Sequence, residues 1–234
     1  MRAEFWLNSW DLGGSKTSFH RQDIHPYATR YASAEFLKGK RVLVPLCGKD
    51  NALMWFREHA AHVVGIEFAE KAIHQFFREQ NLPYLKTPGR RYEAERLTII
   101  NRDIFKLTPV DIGPIDFVYD RAALVALPED MRARYRQKMD EFMPVSVQCL
   151  VITLEYAPSI GPTPPFSITP AEIDQYYHHN YAIEHVEQLS LPEHRMVQKF
   201  GLSFLKEHGF MLTKLNNAIG TQQSRELSTA GIAY

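Results

Sequence analysis

The sequence predicts a doubly wound α/β protein, with a mostly parallel seven-stranded sheet, helices on both of its faces and an aromatic N-terminal segment. Three observations point there. After residue 40, short apolar runs alternate with amphipathic stretches, as in consecutive βαβ units. The first apolar run ends in a glycine turn, Cys47-Gly48-Lys49, and the second ends in an acid, Glu67. No repeat, low-complexity tract or Gly/Ser/Pro-rich linker divides the chain. Residues 1–234 are therefore expected to form one domain, with an N-terminal segment over 1–40, an α/β core over 41–217 and a flexible polar tail over 218–234.

Each element has its own signal. Arg41 to Leu46 reads as a buried strand with Pro45 near its end, where a missing ladder donor matters least. Asp50 or Asn51 can cap a helix through Leu53, Met54, Trp55 and Phe56. His62 to Glu67 is a second strand, followed by a helix from Ala69 to Gln80. Leu97 to Ile100 and Phe117 to Tyr119 are the third and fourth strands. Pro128-Glu129-Asp130 opens a helix whose Met131, Tyr135, Met139 and Phe142 recur at helical spacing. Cys149 to Tyr156 reads as the central fifth strand, and Thr169-Pro170 with Glu172 as a helix start. Ile183 to Leu189 and Phe210 to Leu215 supply a final antiparallel pair. Ahead of the sheet, residues 1–40 are dense in aromatics: Phe5, Trp6, Trp10, Phe19, Tyr27 and Tyr31.

Composition narrows the function. Lys+Arg and Asp+Glu balance at 27 each, which excludes a global basic charge for nucleic acid or an anionic membrane. The N-terminus lacks the apolar core of a signal peptide, and no apolar run approaches the roughly 20 residues of a spanning helix. Cys47 and Cys149 have neither zinc nor haem spacing and suggest a reducing compartment. His59 with His62, and His178 with His179, lack further ligands at metal spacing, so no metal site is expected. A cytoplasmic protein is expected, and the even charge favours a monomer.

In an open α/β sheet the ligand lies beyond the C-terminal strand ends, where strand order reverses. Glu67 stands there, roughly 20 positions past the glycine turn, as an acid that binds ribose hydroxyls does. The turn has one glycine, Gly48, in place of the three that let backbone approach a pyrophosphate. A ribose ligand without phosphates is implied, and S-adenosylmethionine fits that description.

The stretches Val42 to Lys49, Val64 to Glu67, Tyr119 to Pro128 and Gly161 to Ser167, with Phe5-Trp6, Trp10 and Phe19-His20, resemble the thiopurine S-methyltransferase family in its bacterial form. The resemblance runs in order over roughly residues 4 to 215, and its glycine-turn and Asp120-Arg121 blocks are specific. It implies the Rossmann-like fold of class I methyltransferases and S-adenosylmethionine as cofactor, with S-adenosylhomocysteine as product. It places Trp10, Leu46, Gly48, Glu67 and Arg121 at the cofactor, and Asp103-Ile104 around the adenine. Phe19 and His20 fall beside the acceptor, Arg195 is the nearest candidate for a basic residue there, and the N-terminal segment becomes a lid. Lys49-Asp50-Asn51 replaces the Lys-Ser of many relatives, a departure expected to change only the helix cap.

Methyl transfer from a sulfonium asks chiefly for positioning and dryness, and a soft thiol nucleophile needs no dedicated base. Arg121 is the expected catalytic residue, able to hold a carboxylate or stabilise a thiolate. Its bland alternative is a pair with Asp120 or Asp116. Trp6 reads as packing, and Cys47 as a small buried hydrophobe. The expected reaction is methylation of a thiopurine, thiol or selenium compound. Rival readings keep the cofactor and change the acceptor to a halide, thiocyanate, tellurite or specialised metabolite. An NAD-type oxidoreductase and a non-catalytic binding module are the other rivals.

Overall fold

The computed structural model describes residues 3–13, 23–161 and 163–216. Ahead of the sheet lie three helices, α1 (Ala3–Leu12), α2 (Pro26–Tyr31) and α3 (Ala34–Leu37). Pro26 sits in the first turn of α2, where no amide hydrogen is needed, and the Ser33 side chain caps α3 by accepting from the Phe36 N–H. Next come β1 (Arg41–Val44), α4 (Ala52–His59), β2 (His62–Ile66) and α5 (Glu70–Glu79). A hairpin of β3 (Leu85–Thr87) and β4 (Arg91–Ala94) leads into β5 (Leu97–Ile100). A 3-10 turn (Ile104–Lys106) and α6 (Pro109–Ile112) precede β6 (Phe117–Arg121), and a second 3-10 turn (Leu124–Ala126) precedes α7 (Glu129–Phe142). Then follow β7 (Gln148–Ala157), α8 (Pro170–Tyr177), β8 (Tyr181–Ser190), α9 (Arg195–Phe200) and β9 (Phe204–Lys214).

The strands form a nine-stranded sheet in the order β3-β4-β5-β2-β1-β6-β7-β9-β8. Strands β5, β2, β1, β6 and β7 run parallel, while β9, β8 and the β3–β4 hairpin pair antiparallel. All seven anticipated strands are present and make the doubly wound sheet. Pro45 and Leu46 fall just beyond β1, and β9 starts well ahead of Phe210. The two further strands, β3 and β4, lack an apolar run: Leu85 and Lys86 are exposed, and Tyr92 is the buried residue between polar Arg91 and Glu93. Backbone pairing of Tyr92 with Ile99, rather than a hydrophobic pattern, extends the sheet there.

Alternate residues of the inner strands feed two cores. Leu43, Val64, Ile66, Val118 and Val151 face Tyr135, Met139 and Phe142 of α7 and Ile173 and Tyr177 of α8. Val42, Val44, Val63, Phe117 and Ile152 face Leu53 and Phe56 of α4 and Ile73, Phe76 and Phe77 of α5. Tyr27, Ala28, Ala32 and Leu37 join this second core, and the Trp55 Nε1–H donates to the Ala32 carbonyl at 2.9 Å. So within the segment expected to act as a lid, α2 and α3 pack beneath the sheet. Among the described residues, no helix is long and apolar enough to cross a membrane.

One buried polar contact ties α7 to β6. The Tyr135 hydroxyl donates to Asp120 Oδ2 at 2.7 Å, and the Leu124 N–H to Oδ1 at 3.1 Å. Burial pushes the Asp120 carboxyl up to about 6 against the pull of these two donors.

Gly65, next to the last residue of β2, leaves room for the Cys47 side chain of the first glycine turn. A Cβ there would lie 2.9 Å from Cys47 Sγ and 3.3 Å from Ile99 Cγ1. Gly65→Ala is expected to destabilise the fold by about 1–3 kcal/mol, as overpacking of a filled core does. Adding Cys47→Ala should recover much of that loss, because it removes the closer of the two atoms. Urea unfolding of both single variants and the double variant checks this, through a coupling term that additive behaviour would leave at zero.

Candidate active site

Strand order reverses between β1 and β6, since the chain moves outward through β2 and β5 on one side and through β7 on the other. A cleft of about 1020 Å³, counting its open mouth, sits at these strand ends. Residues following β1, β2, β5 and β6 line it, together with Trp6 and Trp10 of α1. Two of its lining residues, Leu46 and Ala122, hold left-handed backbone, with φ of 46° and 60°. Strain of this kind at non-glycine residues is concentrated at functional sites. Here it turns the chain sharply at the two strands that flank the reversal.

Glu67 is the centre of the cleft floor. Its Oε2 accepts from the Gly48 N–H at 2.8 Å and its Oε1 from the Ala69 N–H at 2.6 Å, which fixes both oxygens and leaves each able to accept again. Burial pushes the carboxyl up to about 7, while backbone N–H bonds from Ala69, Gly48 and Phe68 pull it down. Asn101, at the end of β5, steadies the loop behind it by donating to the carbonyls of Glu67 (3.2 Å) and Phe68 (2.8 Å).

Trp10 is buried, packed against Ala69 and Ala72. A Cβ on Gly48, whose φ is 52°, would meet the Trp10 ring at 3.1 Å, so glycine both relieves the backbone and lets the indole lie close on this turn. The Lys71 ammonium donates to the Asp11 carbonyl (3.1 Å) and Oδ1 (3.2 Å), fastening α1 to α5. Trp6 corrects the sequence expectation of simple packing, because it is half-buried and lines the cleft. After β5, Asp103 caps the 3-10 turn by accepting from the Phe105 N–H at 3.0 Å, and Asp103, Ile104 and Phe105 all line the cleft.

Arg121 ends β6 at the cleft. Its partner is neither Asp120, which holds Tyr135, nor Asp116, which accepts from the Arg41 N–H. Instead, Nη1 donates to Asp50 Oδ2 at 3.2 Å, with both side chains almost buried. Burial works against the guanidinium charge, and the Asp50 carboxylate, together with Tyr119 and Glu207, more than restores it. Asp50 Oδ1 accepts from the Ala52 N–H at 2.8 Å in the first turn of α4, so the anticipated cap is present and the ion pair comes in addition.

The structure thus gathers Trp10, Leu46, Gly48, Glu67, Asp103, Ile104 and Arg121 around one cleft. Arg195 is exposed at the start of α9 and is not among the residues lining it. Its helix is held by Met196, which packs with Tyr156, Leu202 and Leu205 beside the sheet. Phe19, His20 and the tail lie outside the described residues. Cys47 is buried, and burial pushes its thiol up, as befits a packing residue. Asn101 and the Asp50 ion pair are absent from the expected set. The position of Asn101 directly after a buried strand was the available signal.

The protein-family model described as thiopurine S-methyltransferase matches residues 1–215. A thiopurine S-methyltransferase of Pseudomonas syringae pv. pisi is 36% identical over 220 residues, covering 92% of this chain and 100% of that protein. Another, from Nitrosospira multiformis, is 33% identical over 217 residues, covering 91% and 98%. Among solved structures, the fold is similar to that of the Burkholderia thailandensis 1,6-didemethyltoxoflavin-N1-methyltransferase with bound S-adenosylhomocysteine. That match has a TM-score of 0.62 and 15% identity, covering 91% of this chain and 87% of that one. The magnesium protoporphyrin IX methyltransferase of Synechocystis PCC 6803 gives 0.57 and 12%, covering 89% of each.

The cleft suits the cofactor of such enzymes on its own evidence. Glu67 offers two fixed acceptor oxygens for vicinal hydroxyls, Trp10 and Phe105 offer flat walls, and a single-glycine turn leaves no phosphate cradle. The chain belongs to the thiopurine S-methyltransferase family, a small-molecule methyltransferase whose cofactor is S-adenosylmethionine.

Proposed function

We propose that this enzyme methylates the sulfur of a thiopurine or of another small thiol or selenium compound, acting as a cytoplasmic monomer. What supports the choice of a soft acceptor is the make-up of the cleft wall. Trp6, Phe68, Phe105, Leu127 and Met131 stand beside Arg121, and no histidine is among the described residues that line it. The carboxylates present are engaged: Glu67 by two N–H groups, Asp50 by Arg121 and Ala52, and Asp103 by Phe105. A hard hydroxyl nucleophile would need a base that this wall does not present, whereas a thiol releases its proton to water near neutral pH. The relatives named as thiopurine S-methyltransferases point to the same acceptor class.

When bound, S-adenosylmethionine supplies a sulfonium methyl that passes in line to the acceptor and leaves S-adenosylhomocysteine. The chain's own task is to hold, align and dry the reactants. Glu67 takes the ribose hydroxyls, Ile104 and Phe105 border the adenine, and Trp10 covers the ribose side. Arg121 is placed both to hold the carboxylate of the amino-acid portion and to stabilise a thiolate on the acceptor. We propose that α1, together with Phe19 and His20, closes over the acceptor.

Product analysis by mass spectrometry, with thiopurines, aryl thiols, selenols and halides offered in turn, is expected to show methyl thioethers or selenoethers. Methylation of halide alone would overturn the acceptor assignment. Glu67→Ala is expected to weaken S-adenosylhomocysteine binding at least about tenfold, the loss of a charged hydrogen-bonding partner. Arg121→Ala should lower turnover by about 10²-fold with a smaller change in that affinity.

A pH dependence follows from Glu67. Ribose hydroxyls donate to the charged carboxylate, and burial places its titration near 7 in the free enzyme. Affinity for S-adenosylhomocysteine should therefore be low at acid pH and rise through about 7 to a plateau above it. Calorimetric titrations across pH check the slope, which Glu67→Gln should abolish.

A further inference from the structure

We propose that Asp120 is a positioning residue for Arg121: its side chain closes the left-handed turn after β6 and so fixes where the guanidinium enters the cleft. This role rests on the methyl-transfer reading of Arg121 given above.

The end of β6 is held less firmly by the sheet than its start. On the β1 side the ladder pairs Val42 with Phe117 and Leu43 with Val118, and goes no further. From Tyr119 onward the strand pairs with β7 alone, where Arg121 faces Ile152 at the last rung. The next residue, Ala122, takes a φ of 60°. A residue with a Cβ keeps that conformation only where its surroundings hold it.

Successive side chains of a strand point to opposite faces, and this strand end is gripped on each. On one face Arg121 meets Asp50, which is fixed to α4. On the other, the buried Asp120 reaches across the turn. Its Oδ1 accepts from the Leu124 N–H at 3.1 Å and its Oδ2 from the Tyr135 hydroxyl of α7 at 2.7 Å. The first bond closes a ring around Arg121, Ala122 and Ala123. The second ties that ring to α7, whose Tyr135 is buried in the same core as Val118 and Tyr177. Asp50 thus restrains the tip of the arginine, and Asp120 the backbone from which it springs. Without Asp120 the buried Leu124 N–H would lose its acceptor, and Ala122 would be free to leave its left-handed state. Arg121 would move with the turn, and so would Ala126 and Leu127, which line the cleft just beyond it. A displacement of about 1 Å at a reacting centre costs on the order of 10²-fold in rate.

Three variants test this, each in the wild-type and Arg121→Ala backgrounds. Asp120→Ala removes both bonds, and Asp120→Asn keeps an oxygen for the Leu124 N–H. Tyr135→Phe removes one hydroxyl, keeps the ring in the core and serves should the alanine variant not fold. The readouts are kcat with 6-mercaptopurine or thiophenol, and calorimetric affinity for S-adenosylhomocysteine and for 5′-methylthioadenosine, which lacks the amino-acid portion. With Arg121 present, Asp120→Ala is expected to lower kcat at least about tenfold and Tyr135→Phe about threefold. Asp120→Asn should recover most of the alanine loss. Affinity for 5′-methylthioadenosine should stay within about twofold throughout. In the Arg121→Ala background these losses should vanish, because no guanidinium is left to position.

Losses that persist undiminished in that background would overturn the proposal, as would an Asp120→Ala enzyme with wild-type kcat. So would a fall in 5′-methylthioadenosine affinity as large as the fall in kcat, the mark of general damage to the cleft. If Arg121→Ala itself turns over like the wild type, the part given to Arg121 falls and that of Asp120 with it. Should neither acceptor be methylated while S-adenosylhomocysteine binds, the acceptor reading falls. The binding arm then still decides: Asp120→Ala should weaken S-adenosylhomocysteine only where Arg121 is present, and equal weakening in both backgrounds would overturn its role.

Discussion

A buried carboxylate at the end of a parallel strand is the constraint on which the rest of this site depends. Glu67 is drawn out of water by β2 and held by two backbone amides, one from the turn after β1 and one from the start of α5. An isolated carboxylate in that position would be costly, and two N–H donors offset only part of the cost. Its raised titration point is the trace of what remains. In the proposed complex, ribose hydroxyls would supply the missing hydrogen bonds, so that a group that burdens the free enzyme would become an anchor.

The surrounding geometry follows from holding that carboxylate in place. A side chain at Gly65 would crowd the Cys47 thiol on the turn that carries the Gly48 donor. Gly48 lets the Trp10 ring lie close on the same turn, which brings α1 to the mouth of the cleft. The left-handed residues Leu46 and Ala122 turn the chain just past the ends of β1 and β6, where both line the cleft. Arg121 then enters from β6, restrained by an Asp50 that is itself fixed by α4.

Much of this was legible in the residues. The parallel strands announced themselves as apolar runs, and Glu67 and Arg121 as charges placed directly after such runs. The β3–β4 hairpin was not legible, because an exposed edge strand such as Leu85–Thr87 carries no hydrophobic period. The fate of residues 1–40 was legible only in outline: aromatic density signalled burial but could not distinguish α1 at the cleft from α2 and α3 under the sheet. The Asp50–Arg121 pair joins residues 71 positions apart, and spacing says nothing about partners so distant. Arg195 shows the converse: a basic residue singled out by its position in the chain is exposed on a helix anchored by Met196 and is not among the residues lining the cleft.

The central claim, that this cleft is built around Glu67 to hold the adenosyl group of S-adenosylmethionine, is tested most directly by calorimetric titration with S-adenosylhomocysteine at a pH above the Glu67 transition. One-to-one binding at about micromolar affinity is the predicted result, with loss of heat in Glu67→Ala. A folded wild-type protein that gives no heat, or an alanine variant that binds as tightly as the wild type, would contradict it.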